Sequence, residues 1–292
     1  MISNFNSLIK INIVLLRQLK VASPGTPTAL TIVRSLYRDL QSLTAAIIIL
    51  IVICTQISAQ TDMQTVRIPG GTFMRGSNNG NADEKPVREI EISAFNMMAK
   101  EVTEAQYQKC VAASRCQPAH YDDGRCLQWT GAEFRNVTVP QQFRGPNLPV
   151  VCVTWLQARA YCANIGMRMP SEAQWEYAAS GGAAQVRYSW GNSPPDKNRC
   201  ALSTLHNAGS FAPNGYGLYD MTGNVWEWVG DFYEQDYYSY SETKDPRGPS
   251  AGFYRVIRGG GFYSGPNELR IQNRHWFSPN FAEVSVGFRC VK

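Results

Sequence analysis

The chain has 292 residues, of which 44% are hydrophobic and 11% aromatic, with a formal net charge of +5. That composition is globular and excludes a disordered or low-complexity protein. The surplus charge sits in residues 1–59, which carry Lys10, Arg17, Lys20, Arg34 and Arg38 against Asp39. Without them 23 basic residues face 22 acidic ones, so there is no electrostatic footprint for nucleic acid.

Residues 1–59 read as an export leader. Ala45 to Cys54 is a continuous apolar run that follows Arg34 and Arg38 and precedes Ile57-Ser58-Ala59, a small-residue cleavage site. Basic region, short apolar core and small-residue site are the three parts of a secretory signal. The run is shorter than the roughly 20 residues of a spanning helix. Ile53 stands where a lipoprotein signal needs a small residue. The leader is long, which points to a start codon downstream of Met1, at Val33. If it stays uncleaved it is a signal anchor, the chain's only expected contact with a membrane. The expected location is the periplasm or the extracellular space.

Residues 60–292 read as one domain. Thr65 to Ser77 contains a strand, a Pro-Gly-Gly turn and a second strand. Arg88 to Phe95 alternates, with Ile90 and Ile92 on one face and Glu89 and Glu91 on the other, the pattern of a half-buried strand. Three helices follow, each announced by a hydroxyl with Gln three residues later: Thr103/Gln106, Thr154/Gln157 and Ser171/Gln174. Each pair is a capping box that satisfies orphan amides at a helix start. The second helix carries Trp155, Ala158, Cys162 and Ile165 on one face and ends at Gly166. The third buries Trp175 and Ala179 and ends at Gly181-Gly182. From Arg187 onward glycine, proline and aromatics dominate, and little regular structure is expected.

The densest stretch is NGYGLYDMTGNVWEWVGD, residues 214–231. Its glycines and aromatics point to an irregular backbone folded around large anchors. Asp220 and Glu227, with carbonyls between them, could wrap a hard cation such as calcium; a rigid turn with core tryptophans is the alternative. Seven cysteines lie beyond the leader: Cys110, Cys116, Cys126, Cys152, Cys162, Cys200 and Cys290. With no CxxC pair they read as disulfides of an oxidising compartment, leaving at least one unpaired, and spacing does not fix their connectivity.

IPGGTFMRGS, KEVTEAQY, VVCVTWLQARAYC, MPSEAQWEYAASGG, YSWGN, PNGYGLYDMTGNVWEWVGDFY, RVIRGGGFY and GFRC occur in this order. Together they resemble the formylglycine-generating enzyme (sulfatase-modifying factor) family over residues 64–292. The resemblance implies a single irregular α+β domain, distantly similar to C-type lectins, low in regular structure and containing disulfides. It implies a structural calcium on Asp220, Glu227 and the carbonyls of Gly223 and Val225. A second family calcium site, in the loop before PNGYG, is not expected, because residues 199–213 are too few and contain no acid. The resemblance pairs Cys162 with Cys290. Cys152 with Cys200 and Cys110 with Cys116 are the further pairings expected, which leaves Cys126 over.

The departures bear on function. The family's enzymes oxidise a sulfatase cysteine with Cu(I) held by two thiolates just after the motif RGGS. Residues 258–276, RGGGFYSGPNELRIQNRHW, contain no cysteine. Cu(I) selects soft sulfur ligands, so copper is not expected. Ser264 stands as the relic of one ligand, Gly261 replaces the motif serine, and Ser285 replaces the groove asparagine. Trp226 and Arg274 remain from the family's substrate groove. Arg274 could hold a carboxylate or a carbonyl, or pair with a buried acid, and His275 is a candidate base. Three functions are compatible with this pattern. One is a binding or accessory module taking a peptide, protein or small molecule in the groove. Another is an oxidative maturation enzyme similar to those that mature pyoverdine, and the third is a formylglycine-generating oxidase.

Overall fold

The computed structural model describes residues 63–292 together with Gln41, Ser42 and Thr44. The apolar run and cleavage site of the leader lie outside the described residues. The chain divides into two units, residues 1–61 and residues 62–292; the elements described below belong to the second. Among the described residues no helix is long and apolar enough to cross a membrane.

The N-terminal part is built from two antiparallel ribbons. Strand β1 (Thr65–Ile68) pairs with β4 (Phe95–Met98), and β2 (Gly71–Arg75) with β3 (Arg88–Ile92). Ile90 and Ile92 are buried while Glu89 and Glu91 face solvent, as the alternation predicts. Helices α1 (Glu104–Ala112), α2 (Trp155–Asn164) and α3 (Glu172–Ala179) each start on their capping box, with Thr103, Thr154 and Ser171 as N-caps. Every residue of α3 is buried, so this short helix is a core element, held by packing more than by intrinsic propensity. Strands β5 (Cys126–Trp129) and β6 (Phe134–Val137) form a third ribbon.

The largest sheet was not legible. It has the order β10-β7-β8-β9, with β7 at Trp226–Phe232, β8 at Arg255–Arg258, β9 at His275–Phe277 and β10 at Val286–Phe288. Strand β7 runs parallel to β10 and antiparallel to β8. The second half of the stretch expected to be irregular is therefore a strand. It escapes pattern reading because residues 226–229 are buried on both faces, which erases the alternation. Helix α4 (Tyr237–Tyr240) is a single turn. The result is an irregular α+β domain, with α3 and β7 at the centre of its hydrophobic core.

Three disulfides join Cys110 to Cys116, Cys126 to Cys152 and Cys162 to Cys290. The expected Cys152–Cys200 pair is not formed. Cys152 faces Cys126 across a Cα separation of 5.3 Å, and among the described residues the unpaired cysteine is Cys200, not Cys126. Disulfides of this number are those of a non-cytoplasmic, oxidising compartment.

Candidate functional site

The turn between Gly217 and Val225 is held open by residues with positive φ, 56° at Asp220, 88° at Gly223 and 63° at Asn224. Its side chains converge on an acid that sequence reading overlooked. Asn224 accepts a hydrogen bond from the backbone of His206 and donates one to Glu101 Oε1, both at 3.0 Å. Asp220 accepts from the amide of Gly209 at 2.5 Å. Glu101 is 1% exposed and Asp220 8%, and Glu101 Oε2 is buried without a partner. Burial first, then the neighbouring Asp220, raises the Glu101 carboxyl well above its ordinary pKa. Burial raises that of Asp220 too. Two facing buried acids with an orphaned oxygen make a chemically suitable seat for a hard cation.

Glu227 is placed differently from the expectation. Its oxygens take Arg289 Nε and Nη2 at 2.7 to 3.0 Å and Trp175 Nε1 at 2.8 Å. That pattern occupies the carboxylate, so the acid facing Asp220 is Glu101. Among the described residues no three His, Cys, Asp or Glu side chains converge on one point. A cation here would rest on the acid pair of Glu101 and Asp220.

The second candidate surface lies on the segment between β8 and β9. Gly261 and Ser264 close a turn, with the Gly261 amide donating to Ser264 Oγ at 3.1 Å and the Ser264 amide to the Gly261 carbonyl at 2.9 Å. A Cβ on Gly261 would stand 2.9 Å from Ser285 and 3.1 Å from the Trp226 ring, so these three form one packed floor. Ser285 Oγ lies 2.6 Å from Glu283 Oε2, to which it donates, and 2.8 Å from the Tyr263 hydroxyl, which itself donates to Glu283 Oε1 at 2.5 Å. Burial holds the Glu283 carboxyl above its usual range.

From this floor a row of rings leads outward. His275 packs edge-on to Trp226 at 5.4 Å, Phe277 tilts against His275 at 4.9 Å, and Phe277 stacks on Phe281 at 3.8 Å. Phe134 packs against both phenylalanines and lies 5.0 Å from Trp129. Trp129, Phe134 and Tyr263 are 38%, 39% and 39% exposed. Sequence reading missed this ridge because β5, β6 and β9 are brought together only by the fold. The one available signal was aromatic residues on the short ribbon at 126–137.

The Nδ1 of His275 lies 2.7 Å from the Trp276 amide and 3.2 Å from the Trp276 carbonyl, so the backbone engages that nitrogen and Nε2 is the one left for other partners. Burial lowers its pKa. Arg274 is not in the groove. It is 2% exposed, grips both oxygens of Glu172 at 2.8 and 3.1 Å and donates to the carbonyl of Asp83 at 2.7 Å. Arg258 and Arg75 bind the same Glu172 at 3.2 and 2.8 Å. Burial opposes ionisation of Glu172, but Arg274, Arg75 and Arg258 outweigh it and hold the carboxyl down at about 2. Arg258 and Arg274 thus clamp both ends of the 258–276 segment onto the start of α3. The pairing with a buried acid is the reading of Arg274 that the geometry supports.

Cys200 is buried beside Tyr188 and Leu269. Burial pushes its thiol up to about 11, far from the thiolate a soft metal needs.

A family model described as the sulfatase-modifying factor enzyme 1-like domain matches residues 54–292. Serine/threonine-protein kinase Pkn1 of Chlamydia pneumoniae is 39% identical over 236 residues, which cover 78% of this chain and 38% of the kinase. The chain therefore spans well under half the length of that relative. The formylglycine-generating enzyme of Thermomonospora curvata is 33% identical over 282 residues, covering 77% of this chain and 92% of the enzyme. The solved structure of PvdO from Pseudomonas aeruginosa superimposes with a TM-score of 0.65 at 24% identity, over 78% of this chain and 93% of PvdO. At that identity the likeness concerns the fold alone.

Proposed function

The chain belongs to the family of sulfatase-modifying factor enzyme 1-like domains, and we propose that within it this chain is an exported binding or accessory module. The observation that carries the proposal is the state of the sulfur. Residues 258–276 contain no cysteine. Six of the seven cysteines in the described domain are in disulfides, and the seventh is a buried thiol. Cu(I) requires thiolate or thioether ligands, and the Ser264 hydroxyl is hard and already bonded to the Gly261 amide.

What remains at the groove suits recognition. A packed floor of Trp226, Gly261 and Ser285 continues into the half-exposed ridge of Trp129, Phe134 and Phe277, with the 39% exposed Tyr263 as the polar group at its edge. A ligand presenting a hydrophobic side chain and a hydrogen-bond donor, such as an extended peptide, would use both. The likeness to part of a kinase agrees with a domain that serves beside other activities. We assign calcium a structural role at Glu101 and Asp220, and export to the N-terminal leader.

Incubating the purified domain with Cu(I), oxygen and a sulfatase peptide of the form CxPxR should yield no aldehyde by mass spectrometry; its formation would overturn the proposal. Selecting a displayed peptide library on the domain should enrich sequences that bind the wild type and lose binding to Phe134→Ser. Enrichment indifferent to that substitution would remove the ridge from the reading.

A further inference from the structure

A separate cleft of about 770 Å³ opens between the β2–β3 ribbon, the end of α3 and the loop at 183–187. Its volume lies within the range of small-ligand pockets, about 300–1,000 Å³. It shares no residue with the floor around Trp226, Gly261 and Ser285 or with the acid pair.

The lining is unusual in charge and in hydrogen-bonding groups. Arg270 enters it but is neutralised by Glu84, whose two oxygens take both terminal nitrogens at 2.7 Å. Glu176 is spent on Arg258 at 2.5 Å and on the amide of Gly76 at 2.7 Å. The other charged side chains at its border, Glu89 and Arg187, are exposed and opposite in sign. A phosphate, a carboxylate or a cationic peptide would therefore find no net counter-charge. By contrast, among the described residues the side-chain amides of Asn78, Asn79, Gln185 and Asn267 line the cleft with no protein partner. Each amide offers donors and an acceptor side by side, the complement of neighbouring hydroxyls.

Aromatic groups stand beside the amides. The Tyr216 and Tyr177 hydroxyls meet at 3.3 Å, and Phe73 packs on Tyr177 at 5.3 Å. Glycines lie against both tyrosines: a Cβ on Gly182 would stand 3.2 Å from the Tyr216 ring, and one on Gly71 would stand 2.8 Å from the Tyr177 hydroxyl. Such ring faces carry negative quadrupole density that attracts the weakly positive C–H face of a sugar ring.

We propose that this cleft binds a neutral carbohydrate chain, with the free amides reading vicinal hydroxyls and the Phe73 and Tyr216 rings meeting the apolar faces of the sugar. The cleft uses Asn267 and Arg270 of the 258–276 segment but none of the floor residues Trp226, Gly261 and Ser285. The test is ligand-observed NMR and calorimetry on the full domain with chitotetraose, cellotetraose and maltotetraose as probes. The zwitterionic tetrapeptide Gly-Ser-Asn-Gly serves as control. At least one sugar should bind, and Asn79→Ala combined with Gln185→Ala should weaken it about tenfold or more, a loss of about 1.4 kcal/mol. Both positions are exposed, so the thermal midpoint should not move. Phe134→Ser should leave sugar binding unchanged. Binding by none of the three sugars, binding insensitive to the double variant, or equal binding of the tetrapeptide would each overturn the proposal.

Discussion

The three disulfides close loops of very different length, and their removal should rank accordingly. Sequence separations are 6 residues for Cys110–Cys116, 26 for Cys126–Cys152 and 128 for Cys162–Cys290. In the chain-entropy description a cross-link stabilises by restricting the unfolded ensemble, and the effect grows with the logarithm of loop length. The three loops then contribute about 2.5, 3.5 and 5 kcal/mol at 25 °C. Each pair should be replaced by alanines, so that no lone thiol is left to mispair, and unfolding followed in urea by tryptophan fluorescence. The expected order of midpoints is wild type, then the 110/116 variant, then 126/152, with 162/290 lowest. Cys126, Cys152, Cys162 and Cys290 are all fully buried, so a packing loss adds to both longer-loop variants alike, and the difference between those two is left to loop length. If the 110/116 variant is as destabilised as the 162/290 variant, loop closure is not what these bonds contribute. If Cys126→Ala/Cys152→Ala leaves the oxidised protein unchanged, the assignment of that bond fails.

Other outcomes follow from the charged interior. Glu101 and Asp220 have carboxyls raised by burial in the folded state. Their contribution is therefore fully present at low pH and is lost as pH rises through the folded values. In EGTA the thermal midpoint should fall between pH 5 and 8, and 1 mM calcium should recover it most at pH 8; Glu101→Gln should abolish that recovery. Asp231 behaves in the same sense. Burial, then Glu172, raises it to about 7, a difference of about 3 units from its ordinary value of 3.8 that corresponds to about 4 kcal/mol. Asp231→Asn should flatten the calcium-independent part of the pH profile measured by urea unfolding. Arg274→Gln should cost about 3–5 kcal/mol, because it leaves Glu172 short of a buried partner, while peptides selected on the ridge still bind the folded fraction. Gly261→Ser, which restores the family's motif residue, should destabilise by about 1–3 kcal/mol through contact with Ser285 and Trp226. A second substitution, Ser285→Gly, should relieve it in the same assay.

What could be read in advance was what the chain decides locally. Thr103 and Gln106 lie within one turn of each other, and their reciprocal hydrogen bonds at 3.0 and 3.3 Å need nothing from the rest of the protein. The alternation of β3 is likewise a property of five consecutive residues. The fold class and the order of motifs followed from family resemblance and not from periodicity. The misplacements share one cause, which is that the deciding partner is remote. Glu227 carries the same acid in the same motif whether it meets a cation or Arg289, and only the parallel register of β7 with β10 brings Arg289 to it from 62 residues away. Arg274 was open between groove and core because its three flanking residues on either side name no acid, while Glu172 lies 102 residues upstream. Glu101 was hidden by its neighbour. The helix start at Thr103 explains KEVTEAQY completely as local structure, yet Asn224, 123 residues later, claims that carboxylate. A polar side chain just outside a cap has no local hydrogen-bonding duty. In a buried, irregular domain it must still find a partner, and such residues are where a site should be sought when the motif's own acids are already satisfied.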